Sequence, residues 1–167
     1  SAYAPLSGVI VSEKVWRILE QGSDEFGAIG HGWTYSSHPL CTAAGMANLD
    51  YIDEHDLVTN AREVGAYFNG ALTEALGGHP IVGEVRGEGM LAAIEFVRDR
   101  DDRVFFDASD KVGIRIAAAL LQRGVIGRAM PQGDILGFAP PLCLTRDEAD
   151  VIVAAARGAV EEVAAGL

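Results

Sequence analysis

Residues 56–78 read DLVTNAREVGAYFNGALTEALGG, and residues 82–97 read VGEVRGEGMLAAIEFV. The first stretch places Leu57, Ala61, Val64, Phe68, Leu72 and Leu76 at spacings of three and four. That is one face of an amphipathic helix. Asp56 stands where a cap belongs, and Gly77-Gly78 supplies the stop. Each large side chain buried from this stripe contributes about 1.5–3 kcal/mol before conformational entropy is charged. A helix this long with so regular a face can also serve as a strut between two domains. The second stretch changes period. Val85, Met90, Leu91, Ile94 and Phe96 sit among Gly83, Gly87 and Gly89, which reads as strands interrupted by close backbone approaches.

C-terminal to these strands, residues 98–103 (RDRDDR) form a solvated charged turn. Ser109 is the expected cap of a helix with Val112, Ile116, Ala119 and Leu120 on one face, ended by Gly124. Val125–Ile126 and Ile135–Phe138 read as short strands around a Pro131-Gln132-Gly133-Asp134 turn. Pro140-Pro141 breaks the chain. Thr145-Arg146-Asp147-Glu148 then has the spacing of a capping box for a last helix with Ile152, Ala156, Ala159, Val160 and Val163 on its face. From Asp56 onward the order predicts helices packed on a small sheet, an α+β domain.

N-terminal to Asp56 the chain reads differently. Gly8-Val9-Ile10-Val11 is a β-branched run and a predicted strand. Ser12 caps a predicted helix through Lys14, Val15, Trp16, Ile18 and Leu19, stopped at Gly22. Ser23–His38 shows neither helical nor strand period; loops of that length tend to be functional. Pro39 opens the next helix at its first position, where a missing N–H costs nothing. One strand and two helices enclose no core. The expectation is therefore that residues before Ser1, or another chain, complete this folding unit.

Composition narrows the classes of function. The 167 residues are 49% hydrophobic with a net charge of −11, which describes a globular chain. The acidic balance argues against nucleic acid and anionic membranes as partners, since both repel it. No apolar run is long enough to cross a bilayer, and Ser1–Leu6 has neither the basic start nor the apolar stretch of a signal peptide. Two cysteines, Cys41 and Cys143, read as reduced thiols of a cytoplasmic protein. The 13 basic residues include only two lysines, Lys14 and Lys111.

The sequence lacks a P-loop, a nucleophile elbow and a zinc-protease helix motif, and its four histidines do not pair with cysteines at zinc spacing. No metal site is expected. Two segments retain chemical interest. Gly30–Pro39 (GHGWTYSSHP) offers backbone N–H groups, the hydroxyls of Thr34, Ser36 and Ser37, and a helix start behind them, which together suit a phosphate. The same composition also suits an ordinary loop capping its helix through Ser37 or His38. In the second segment, Arg128 ends a short apolar strand before a turn, where a guanidinium can grip a carboxylate through two parallel bonds. It can equally be a surface arginine neutralised by Asp134 across the turn.

Four stretches in register resemble class III (omega-type) aminotransferases, which use pyridoxal 5'-phosphate. Residues 1–11 (SAYAPLSGVIV) resemble the stretch after that family's Schiff-base lysine. His31–Pro39 resembles its phosphate-binding loop, Arg86–Leu91 (RGEGML) a strand of its small domain, and Gly137–Leu142 (GFAPPL) its C-terminal signature. The resemblance implies an α/β, fold-type I aminotransferase. Residues 1–55 would be the C-terminal part of the cofactor-binding large domain, including the phosphate loop, and 56–167 the small α+β C-terminal domain. It further implies a homodimer with shared active sites, in which Thr34, beside the backbone of Trp33, reaches the cofactor phosphate of the opposite subunit. The carboxylate-binding arginine falls on Arg128, with Tyr3 and Trp33 lining the substrate pocket. The Schiff-base lysine is expected upstream of Ser1, with neither Lys14 nor Lys111 replacing it, so the 167 residues alone would be inactive. The implied reaction moves an amino group from an amine or amino acid to a keto acid. Two alternatives stand beside it: a decarboxylase or aminomutase on the same cofactor fold, and a non-catalytic α+β ligand-binding or dimerisation domain.

Overall fold

A computed structural model of the chain describes residues 3–167, and these divide into two units, Ser1–His55 and Asp56–Leu167. The first unit holds helices α1 (Glu13–Phe26) and α2 (Pro39–Glu54). Ser12 caps α1, its side chain accepting from the Val15 N–H. Two expectations are corrected here. Residues 8–11 form no strand; they carry no regular secondary structure, and Ile10 is fully exposed. A β-branched run becomes a strand only when a neighbour takes its hydrogen bonds, and among the described residues of the first unit there is no strand to do so. Helix α1 also passes through Gly22 and ends at Gly27, whose φ of 91° only glycine adopts readily. Glycine inside a helix costs about 1 kcal/mol but does not forbid it. No described residue before Asp56 is buried. Both tryptophans lie in this unit, Trp16 half exposed and Trp33 more so.

Among the described residues, every buried core side chain lies in the second unit. Helix α3 (Leu57–Leu76) leads into β1 (Val82–Glu88) and β2 (Leu91–Phe96). A 3₁₀ turn (Ala108–Asp110), α4 (Val112–Gln122), β3 (Arg128–Ala129), β4 (Ile135–Phe138) and α5 (Arg146–Ala164) follow. The sheet is antiparallel in the order β1-β2-β4-β3. Alternation along its strands sends Ala92, Ile94, Phe96, Leu136 and Phe138 into the core beside α3, α4 and α5. From the α3 stripe, Phe68, Leu72 and Leu76 are completely buried, and Phe68 meets Phe138 edge-on with ring centroids 6.0 Å apart. The opposite face of the sheet carries no helix of this unit.

Local details refine the expected caps. Thr145 and Glu148 form the capping box of α5. Asp56 occupies the cap position of α3, but its side chain makes no capping bond. Ser109 does not cap α4. Its N–H and hydroxyl both donate to Asp107, which caps the 3₁₀ turn, and Lys111, at φ 49°, turns the chain into α4. Residues 125–126 are not a strand either: Ile126 points into solvent, and pairing begins at Arg128.

The hairpin of β1 and β2 is locked to α3 by small residues and one amide. Asn69 Nδ2 donates to the carbonyls of Gly65 (2.9 Å) and Gly89 (3.0 Å). A Cβ on Gly65 would lie 2.9 Å from Gly89 Cα and closer still to its carbonyl. A Cβ on Gly87 would overlap Asn69 Oδ1, a buried oxygen with no hydrogen-bond donor among the described residues. At the other end of α3, Asn60 Nδ2 donates to the carbonyls of Leu142 (2.6 Å) and Leu144 (3.0 Å), holding the segment after the double proline.

Candidate functional site

The loop before α2 is shaped by one tight turn. Ser36 N–H donates to the Trp33 carbonyl (3.0 Å), and Trp33 N–H donates to Ser36 Oγ (3.1 Å). Thr34 and Tyr35 form its tip. Among the described residues the Thr34 N–H and hydroxyl have no partner. Ser37 follows in the left-handed region at φ 58°, and His38 takes the cap position of α2 without a side-chain bond. The capping alternative for this loop is therefore not adopted: neither Ser37 nor His38 satisfies the helix start. That leaves the Thr34 N–H and hydroxyl on an exposed loop without a protein partner among the described residues, donors of the kind an anion accepts from.

Beside the turn lies an open hollow of about 740 Å³ within the first unit, whose lining includes Tyr3, Leu6, Trp33, Tyr35, His38 and Cys41. Tyr3 and Trp33, both read from sequence as pocket residues, thus share one concavity. Thr34 does not line it. The ring of Trp33 is steadied by an edge-on contact with His31, centroids 5.9 Å apart.

Arg128 lies in the second unit, on the uncovered face of the sheet. The registers Arg86↔Ala93, Ala93↔Gly137 and Gly137↔Arg128 put these four residues in one row across all four strands. They bound a groove of about 940 Å³ with a mainly apolar wall that includes Leu91, Ile126, Met130 and Ile135. The two arginines differ in electrostatic state. Arg86 Nη1 binds Glu95 (2.6 Å) and Glu84 (2.8 Å). The Glu95 bond chiefly, opposed by partial burial and aided by Glu84, raises its pKa. Arg128 makes no ion pair or hydrogen bond with a described side chain. Asp134 is not its partner: no ion pair joins the two, and the Asp134 carboxylate accepts from Gly113 N–H at the start of α4 (2.8 Å). An arginine without a counter-charge at the end of an apolar groove is suited to a carboxylate.

The sequence reading missed Ala93 and Gly137 as groove residues and Arg86 as the occupied counterpart of Arg128. Gly137 stood within a recognised stretch, but its place beside Arg128 depends on strand register, which one sequence does not display. Lys14 and Lys111 are both exposed, the first in the opening turn of α1, the second preceding α4. Among the described residues no cluster of His, Cys, Asp or Glu is arranged to hold a metal ion, and no helix is long and apolar enough to cross a membrane.

Comparison with known proteins gives these features a context. The family model described as aminotransferase class-III matches residues 2–160. The diaminobutyrate–2-oxoglutarate transaminase of Halomonas elongata is 58% identical over 163 residues, covering 98% of this chain and 35% of that protein. The putrescine–pyruvate aminotransferase of Pseudomonas aeruginosa is 32% identical over 168 residues, again covering 35% of its length. Among solved structures, one from the directed evolution of transaminases by ancestral reconstruction superposes with a TM-score of 0.97. It is 62% identical, with 99% of this chain and 36% of that one covered. A thermostable (S)-enantioselective omega-transaminase from Thermomicrobium roseum gives 0.84 at 36% identity, over 92% of this chain and 33% of its own. The chain spans about a third of the length of these relatives.

Proposed function

The chain belongs to the class III aminotransferase family, and from that premise we propose that it serves a pyridoxal-phosphate-dependent aminotransferase, moving an amino group from an amine or amino acid to a keto acid. Residues 1–55 form the end of the cofactor-binding domain and 56–167 the small domain of that enzyme, which acts as a cytoplasmic homodimer. Two unpaired cysteines accord with a reducing compartment.

The cofactor, when bound, supplies an electron sink for charge developing at the substrate carbon. This chain's own residues bind and orient. Thr34, through its N–H and hydroxyl, would help to hold the cofactor phosphate of the opposite subunit. The Trp33 N–H is already engaged by Ser36, so the adjoining backbone donor is that of Thr34 itself. The Trp33 ring and Tyr3 wall the space where a substrate would lie. Arg128 holds the carboxylate of the acceptor, which selects carboxylate-bearing partners and fixes their orientation. The covalent lysine is not among these residues. Lys14 and Lys111 both stand exposed on the surface, outside the hollow and the groove.

The observation that carries this reading is the pair of unpaired donors on Thr34, on a loop whose helix start is left uncapped. Its test is Thr34→Ala in the full-length protein, with cofactor retention measured by absorbance after dialysis. A charge-assisted hydrogen bond is worth about 1.5 kcal/mol or more, so retention falls by roughly tenfold at least. Equal retention in wild type and variant would remove the phosphate role.

A further inference from the structure

Gly137 sits in β4 without a local reason to be glycine. Its φ is not positive, no bulge falls at its position, and a Cβ there would meet Met130 Sδ and the Arg128 carbonyl only at 3.5 and 3.7 Å. Those are ordinary contacts. Glycine in a strand interior weakens the strand, and outside bulges and bends it often marks a site where a ligand or another backbone approaches closely. Gly127, by contrast, is required by its neighbours: a Cβ there would lie 2.7 Å from Leu120 Cδ2.

Gly137 stands in a row of small and charged residues. Its row neighbours are Ala93 on β2 and Arg128 on β3. Two of the smallest side chains therefore pave the centre of the groove, with an arginine at either end. Three strand spacings separate the ends, roughly 14 Å between backbones. Arg86 is neutralised by Glu84 and Glu95, so only Arg128 offers an uncompensated positive charge. A molecule lying along the floor would be held at one end by its anionic group, while its carbon chain would run over Ala93 and Gly137 beside a mainly apolar wall that also carries Glu88 and Gln132. The groove volume of about 940 Å³ is within the range of small-molecule sites.

We propose that Gly137 and Ala93 form the floor of the acceptor site, a specificity-determining surface that admits the carbon chain of a carboxylate-bearing substrate held by Arg128. The proposal rests on the aminotransferase reading and adds to it. The arginine selects the carboxylate, and the paired small residues set how much chain can follow.

The test uses the full-length holoenzyme carrying Gly137→Ala, Gly137→Val or Ala93→Val. Binding of glutarate, an unreactive dicarboxylate, is measured by calorimetry. Transamination is compared for a long keto acid and an aldehyde without a carboxylate. Both valine variants should weaken glutarate binding about tenfold or more. They should also raise KM for the keto acid by at least tenfold more than KM for the aldehyde, with kcat less affected. Gly137→Ala folds without strain and should show a smaller loss in the same direction, which keeps the test valid if a valine variant fails to fold. Unchanged glutarate binding, or equal losses with both acceptors, overturns the proposal and assigns the floor to packing against polypeptide. A wild-type protein that retains no cofactor and transaminates nothing defeats the aminotransferase reading instead, and glutarate binding still decides the role of the floor.

Discussion

Gly65 and Gly70 lie five residues apart on α3, and the same substitution should move stability in opposite directions at the two sites. Alanine is favoured over glycine in a helix by about 0.5–1 kcal/mol, because it restricts the unfolded chain. At Gly70 a new Cβ meets nothing within 4 Å, so Gly70→Ala keeps the whole gain. At Gly65 the Cβ falls 2.9 Å from Gly89 Cα and nearer its carbonyl. Those atoms are backbone at the hairpin tip and cannot rotate away. Overpacking of this kind costs about 1–3 kcal/mol. If the tip retreats, it also stretches the 3.0 Å bond from Asn69 to Gly89, worth about 0.5–1.5 kcal/mol. Gly65→Ala should therefore destabilise by about 1–3 kcal/mol while Gly70→Ala stabilises slightly. Urea unfolding followed by far-UV circular dichroism measures both. Equal stabilisation at the two positions would refute the interlock between α3 and the hairpin.

Arg128→Ala should impair transamination of keto acids more than that of carboxylate-free aldehydes; a uniform loss in the two acceptor series would point to a structural arginine. Phe68→Ala removes a fully buried ring that meets Phe138 edge-on, and should cost about 3–5 kcal/mol in the same urea assay; a loss below 1 kcal/mol would mean the core is looser than its burial indicates. Glu148 accepts from the N–H and hydroxyl of Thr145, both at 2.9 Å, and the backbone bond first, then the hydroxyl, lowers its pKa below the usual 4.5. A depressed carboxylate stabilises the fold above its unfolded pKa, and that stabilisation is lost as pH falls through the folded value. Acid unfolding of wild type and Glu148→Gln should accordingly converge below pH 4.5; a constant gap between the two curves down to the acid limit would contradict the capping role of the charge.

The elements that declared themselves in the sequence are those whose energetics are local. The α3 stripe has a period set by helix geometry, and the Thr145–Glu148 box closes within one turn, so both are visible in a few residues. Residues 8–11 failed because strand formation depends on a partner that β-branched residues cannot supply alone. Ser109 failed because Asp107, two residues earlier, competes for its N–H and hydroxyl. In the candidate site, Thr34, Trp33, Tyr3 and Arg128 were nominated through resemblance to a family, and their roles are for the experiments above to decide. The row from Arg86 to Arg128 was not, since it needs three strand registers at once. The ion pairs that neutralise Arg86 while leaving Arg128 bare follow from that same alignment.

The placement of the two indoles has a practical side. Trp16 and Trp33 belong to Ser1–His55, and Asp56–Leu167 contains neither. Intrinsic emission excited at the red edge therefore reports on α1 and the loop before α2 and is blind to the unit that contains the buried core. A melting curve recorded by that emission and one recorded by backbone ellipticity would describe different parts of the molecule. Their failure to coincide would signal two separately melting bodies rather than an intermediate of one.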